Sequence, residues 1–156
     1  MEFITYFCEE IMITVIGIIV IVVGLLVFIG QALSFFAPDL ATKTGLNSPE
    51  EDMDKTLYII ETKANGLSDI LLTWMFPLSG VLMILDHPIW PFLAMVGSGV
   101  YLYFACLTIF CRYFLQRHGI KAGSPKDVRV AYVFSVIWIL SSISMIVLGA
   151  QELTRL

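Results

Sequence analysis

From residue 11 to residue 36 the chain carries no charged side chain, and that run limits the fold more than any other feature. A bilayer with a hydrocarbon core about 30 Å thick accepts such a run of ~20 residues as one helix. Three further apolar runs follow, at about 67–85, 89–115 and 125–153. In hydrocarbon no backbone group can be left unpaired, so these spans are expected to be helices. The chain is 58% hydrophobic and 14% charged, with a mean hydropathy of +0.89. Soluble domains are about 45–50% apolar and about 25% charged. The expected fold is all-α: a single domain over 1–156, an integral membrane four-helix bundle with a short amphipathic helix between spans one and two.

That short helix is expected over 49–64. Ser48-Pro49-Glu50-Glu51 offers a capping serine, a proline at the first helical position and a glutamate in the first turn. Asn65-Gly66 is placed to end it. Its apolar patch of Leu57, Tyr58, Ile59 and Ile60 suits a helix lying on the membrane surface. The other reading is a plain extension of span two. Ser124-Pro125-Lys126-Asp127 repeats the start signal for span four. Asp86-His87-Pro88 leaves room only for a tight antiparallel hairpin between spans two and three.

The first and third loops hold Lys43, Lys55, Lys63, Arg112, Arg117, Lys121, Lys126 and Arg129, which is eight of the nine basic residues. Only Arg155 lies on the other side. The positive-inside rule then puts both loops in the cytoplasm, both termini outside, and the protein in a membrane of the bacterial cytoplasmic type. The acidic, net −4 composition argues against a nucleic-acid partner. Residues 1–10 are acidic where a cleavable signal would be basic, so the first apolar run is expected to stay in the mature protein.

Small residues mark close helix approach in lipid. Gly17 and Gly24 are seven apart on span one, as are Ser135, Ser142 and Gly149 on span four. A repeat of seven keeps each set on one stripe, and the two stripes are expected to face each other. Ala94 and Gly97-Ser98-Gly99 offer another contact on span three. Pro77 predicts a kink in span two and frees the carbonyl of Thr73, with the Thr73 and Ser79 hydroxyls available to the freed groups.

The candidate site is a polar cluster of Gln31, Asp69, Arg112 and Arg129, one residue from each span at a similar depth. A charge near hydrocarbon is costly unless paired, so Asp69 is expected to pair with Arg112 or Arg129. Such a pair either fixes helix register or builds a site for an anionic headgroup around the arginines. Thr73, Pro77, Tyr101, Tyr103, Tyr132 and Trp138 form a candidate ligand lining deeper in the bundle. Trp90 and Tyr113 sit where interfacial anchors sit.

Glu9, Glu10, Asp86, His87 and Glu152 gather at the other end without a spacing that fixes metal geometry, so no metal site is expected. Cys8, Cys106 and Cys111 form no CxxC and read as small apolar fillers. No phosphate loop, HExxH or nucleophile elbow is present, and no cofactor is expected.

Ala37-Pro38-Asp39-Leu40, Thr44-Gly45-Leu46 and Gly66-Leu67-Ser68-Asp69 around the first loop resemble small four-helix membrane proteins of bacteria, the DoxX-like families and neighbouring domains without an assigned activity. The resemblance implies a four-helix layout and carries over no functional residue. Three functions remain open. The chain is an accessory or interaction subunit without catalytic chemistry, working through a protein partner or a second copy. Alternatively, it binds or carries a lipid or small apolar molecule. The third is a membrane enzyme acting on a lipid headgroup.

Overall fold

The computed structural model describes residues 2–154, with side chains from Glu10 onward; the expectations placed on the side chains of Cys8 and Glu9 and on Arg155 lie outside what it describes. Among the described residues all the regular structure is helical, and four helical segments are long and apolar enough to cross a membrane: Glu10–Phe36, Lys55–Ile84, Trp90–Arg117 and Pro125–Leu153.

Helix α1 (Glu2–Phe36) is followed by the short α2 (Pro38–Lys43) and a single 3-10 turn, Glu50–Asp52. The second span is composite. It comprises α3 (Lys55–Ile59), a π-helix (Ile60–Asn65), α4 (Gly66–Leu72) and α5 (Met75–Ile84). The third and fourth spans are the long helices α6 (Trp90–Arg117) and α7 (Pro125–Leu153).

This corrects the separate surface helix over 49–64. The chain from Lys55 runs into span two without a break, and Asp54 starts it: its Oδ1 accepts from the backbone N–H of Thr56 and Leu57 at 2.9 and 3.2 Å. Gly66 does not end a helix either. Its φ of −53° is helical, and its missing side chain lets α4 lie against α1, where a Cβ would meet Phe35 Cβ at 3.1 Å. The start read at Ser124 holds, since Ser124 Oγ accepts from the Asp127 N–H at 3.2 Å.

The helices pack as a row. α1 packs on α5 and α4, α5 packs on α6, and α6 packs most extensively on α7. The small-residue stripes therefore have partners other than each other. Gly24 lies against Pro77, where a Cβ would meet the ring Cδ at 2.6 Å, and Gly17 faces Gly80 and Ile84. Gly149 instead lies against Pro91 and Met95 of α6. A seven-residue repeat shows that a face is narrow without showing whose backbone fills it; the helix next in sequence does so here. Gly97 does make the close contact expected of span three, lying against the backbone of Phe76.

The row holds one apolar core, with Val20, Phe76, Met83, Trp90, Ala94, Tyr101 and Met145 at its centre. Trp90 is only 7% exposed, a core residue and not the anchor its position suggested. Phe76 stacks on Tyr101 with centroids 4.4 Å apart, and Trp138 meets Tyr101 edge-on at 6.5 Å.

The two long loops join. Met53 pairs with Ala122 in an isolated antiparallel bridge. The Asp54 N–H donates to the Lys121 carbonyl at 2.8 Å, and the Gly123 N–H to the Asp52 carbonyl at 3.1 Å. At the opposite end the hairpin between α5 and α6 turns through Asp86, whose φ is +50°.

Candidate functional site

Span two is interrupted ahead of Pro77, which lacks an N–H to donate. The interruption falls at Thr73–Trp74, four and three residues before the proline, as the clash of its ring with the preceding turn requires. The freed Thr73 carbonyl accepts from the Phe76 N–H at 3.3 Å, not from the Ser79 or Thr73 hydroxyls. Those bond elsewhere: Thr73 Oγ1 donates to the Asp69 carbonyl and Ser79 Oγ to the Phe76 carbonyl, each at 2.7 Å.

α1 packs on both sides of the interruption, and α6 on one. Above it, α5 lies on both α1 and α6; below it, α4 makes its principal contact with α1. Between α4 and α6 a cavity of about 540 Å³ remains. Its walls are Asn65, Ser68 and Leu72 on one side and Val96, Gly99, Val100, Tyr103, Phe104 and Leu107 on the other. Leu72, Val96 and Tyr103 are exposed, so the cavity opens outward as a lateral window. Gly99 faces open space, with nothing within 4 Å of an added Cβ. At its far end the window closes where Gly97 meets Phe76. On the loop side an ion pair ties the π-helix to α6, with Arg112 Nη1 2.8 Å from Glu61 Oε1 and Nη2 donating to Oε2 at 3.0 Å.

That two-point pair corrects the expected arginine partner of Asp69. Arg112 is held by Glu61, while Arg129 is exposed on α7. Asp69 is 1% exposed on α4, next to Ser68 of the window wall, and its Oδ1 has no hydrogen-bond partner. Gln31 is half-buried on α1, its backbone carbonyl beside Gly66. The four polar residues therefore do not converge. Lys63, the other nearby cation, donates to the Phe35 carbonyl at 3.0 Å. A buried carboxyl oxygen without a donor forfeits the hydrogen bonds it would have in water.

Of the expected ligand lining, only Tyr103 reaches the window, at 64% exposure. Thr73, Pro77 and Tyr101 are core residues, and the Tyr101 hydroxyl donates to the Gly24 carbonyl at 3.0 Å. Tyr132 and Trp138 are half-buried on α7. Sequence reasoning missed Glu61, because its partner lies 51 residues away, and missed the window residues, because nothing in their types marks a gap between helices. Among the described residues no three His, Cys, Asp or Glu side chains converge as metal ligands would.

The chain matches no family model, no curated protein and no solved structure. Its chemistry is read from its own residues. They provide an apolar cavity with two polar groups at one end, beside a buried carboxyl group without a counter-charge.

Proposed function

We propose that this chain is an integral membrane protein that binds a lipid or small apolar molecule of the bilayer in the window between α4 and α6. The four apolar helices support insertion. The distribution of basic residues supports cytoplasmic first and third loops, with both termini outside. One observation carries the binding reading: the helix interruption at Thr73–Trp74 parts α4 from α6 and leaves about 540 Å³ of mainly apolar space between them. That volume falls within the range of ~300–1,000 Å³ typical of small-molecule sites. Interrupted helices in membrane proteins also place irregular backbone where it lines a cavity.

The test is native mass spectrometry of the protein released from membranes with its surrounding lipid. One stoichiometric small molecule or lipid is expected, and it should be lost in Gly99→Trp, which fills the window. A wild-type protein that carries nothing, and that Gly99→Trp leaves unchanged, would sink the reading.

A second reading, interaction with a protein partner or another copy, draws on the open row. α1 and α7 stand at its two ends, and each leaves a long apolar face uncovered, such as Ile11, Val15, Ile18, Val22 and Ile29 on α1. A stoichiometric protein or a defined homo-oligomer without bound lipid would favour it.

A further inference from the structure

Asp69 is 1% exposed within span two, its Oδ1 has no hydrogen-bond partner, and it does not line the window. No opposite charge is free to meet it on the elements packed around it. α1 has no titratable residue from Ile11 to Phe36, and α5 has none from Met75 to Ile84. On the π-helix, Lys63 is bonded to the Phe35 carbonyl and Glu61 to Arg112 of α6. α6 otherwise brings Tyr101, Tyr103 at the window, and the half-buried thiols Cys106 and Cys111. On α7, Tyr132 is half-buried and Arg129 exposed.

Donors are missing as well. Asp69 lies on the side of Tyr101, whose hydroxyl sits beside that of Thr73. Thr73 Oγ1 donates to the Asp69 backbone carbonyl at 2.7 Å, and the Tyr101 hydroxyl to the Gly24 carbonyl at 3.0 Å. Both hydrogens are therefore engaged, while both oxygens can still accept. A carboxylate here has neither counter-charge nor donor, which is costly in hydrocarbon. A carboxylic acid brings its own O–H and finds acceptors.

The backbone on either side of Asp69 is irregular. The π-helix precedes α4, and the interruption at Thr73–Trp74 follows it. Segments of π-helix concentrate at functional sites. A seven-residue helix between two such joints opens locally at less cost than the long α6 or α7. A metal cation would need several oxygen ligands at once, and among the described residues no three His, Cys, Asp or Glu side chains converge. A proton needs one oxygen and no cavity.

We propose that Asp69 is a proton-binding site inside the membrane-spanning part of the chain. The carboxylate takes up one proton to become a neutral acid, whose O–H is accepted by the hydroxyl oxygens on its Tyr101 side, and it gives that proton back when α4 opens. The site does not depend on what occupies the window, and neither reading needs the other.

The experiment uses the full chain in phosphatidylcholine vesicles. Infrared spectra are taken as the pH is stepped up and back. Adducts of dicyclohexylcarbodiimide, which modifies carboxylic acids in apolar surroundings, are mapped by mass spectrometry of fragments. Wild type is expected to show the C=O band of a protonated carboxyl, falling as pH rises and returning as it is lowered, and Asp69→Asn to lack it. The adduct is expected on Asp69 and to form more slowly as pH rises. A water-soluble carbodiimide should instead modify the exposed Asp54 and Asp86 and spare Asp69.

A wild-type spectrum without the band overturns the proposal. A band that no pH step changes makes Asp69 a fixed neutral acid and overturns proton exchange. Suppression of the adduct by sodium or potassium ions makes a metal cation the occupant. An adduct mapped to another carboxyl overturns the assignment to Asp69. Each of these readings comes from wild type, so the matter is decided even if Asp69→Asn does not fold.

Discussion

Adding one methyl group at Gly24 tests how α1 is held to the rest of the row. A Cβ there would stand 2.6 Å from Cδ, 2.8 Å from Cβ and 2.9 Å from the backbone nitrogen of Pro77. Ordinary contact begins near 3.4 Å, and a proline ring fixed to its own backbone cannot swing aside. The helices must therefore part by the difference, 3.4 − 2.6 = 0.8 Å at this level. The carbonyl of Gly24 accepts the Tyr101 hydroxyl at 3.0 Å, and an added 0.8 Å would carry that bond past hydrogen-bonding distance. Overpacking costs ~1–3 kcal/mol, and the lost hydrogen bond ~1 kcal/mol. Replacing glycine within a helix returns ~0.5–1 kcal/mol. The net expectation for Gly24→Ala is a loss of ~1–3 kcal/mol. Gly99→Ala meets nothing within 4 Å, so it should be neutral or slightly stabilising. The assay is reversible unfolding in mixed micelles by titration with a denaturing detergent, both variants beside wild type. Identical unfolding curves for the two alanine variants would refute the close α1–α5 contact.

The Glu61–Arg112 pair should show a coupling of ~0.5–3 kcal/mol in a double-mutant cycle of Glu61→Gln and Arg112→Gln; additive losses would mean that the pair does not bind the π-helix to α6. Asp54→Ala should cost ~1 kcal/mol in the same unfolding assay, because two N–H groups lose their acceptor, while Asp54→Asn should retain most of the stability. In intact cells a membrane-impermeant amine reagent should fail to reach Lys121 until the membrane is opened; labelling from outside would reverse the proposed orientation.

The four apolar segments and the short hairpin at Asp86 were legible because hydropathy and chain length report directly on what a bilayer admits. Ser124 was legible because a cap is local chemistry. Gly66 was not. Glycine after asparagine signals a helix end in isolation, and only the closeness of Phe35 shows that the glycine is there to admit α1. Asp69 was singled out for a charge near hydrocarbon, and its partner was assigned by matching depth along the helices. Depth does not fix which face a side chain occupies, and Glu61 reaches Arg112 first because the π-helix sets the face on which it sits. The window itself lies between α4 and α6, elements whose approach no residue type records.

The bridge between Met53 and Ala122 joins chain segments that leave the ribosome far apart in time. The first two spans are complete before Ala122 is made, and until then the backbone groups of Asp52 and Asp54 have no strand to meet. Synthesis proceeds from the N-terminus at ~5–20 residues per second, so the join becomes available before α7 is made and packs on α6. A nascent chain stopped within α6 would lack the latch that holds the start of α3. The latch thus ties the start of the second span to the end of the third before the fourth has anything to pack against.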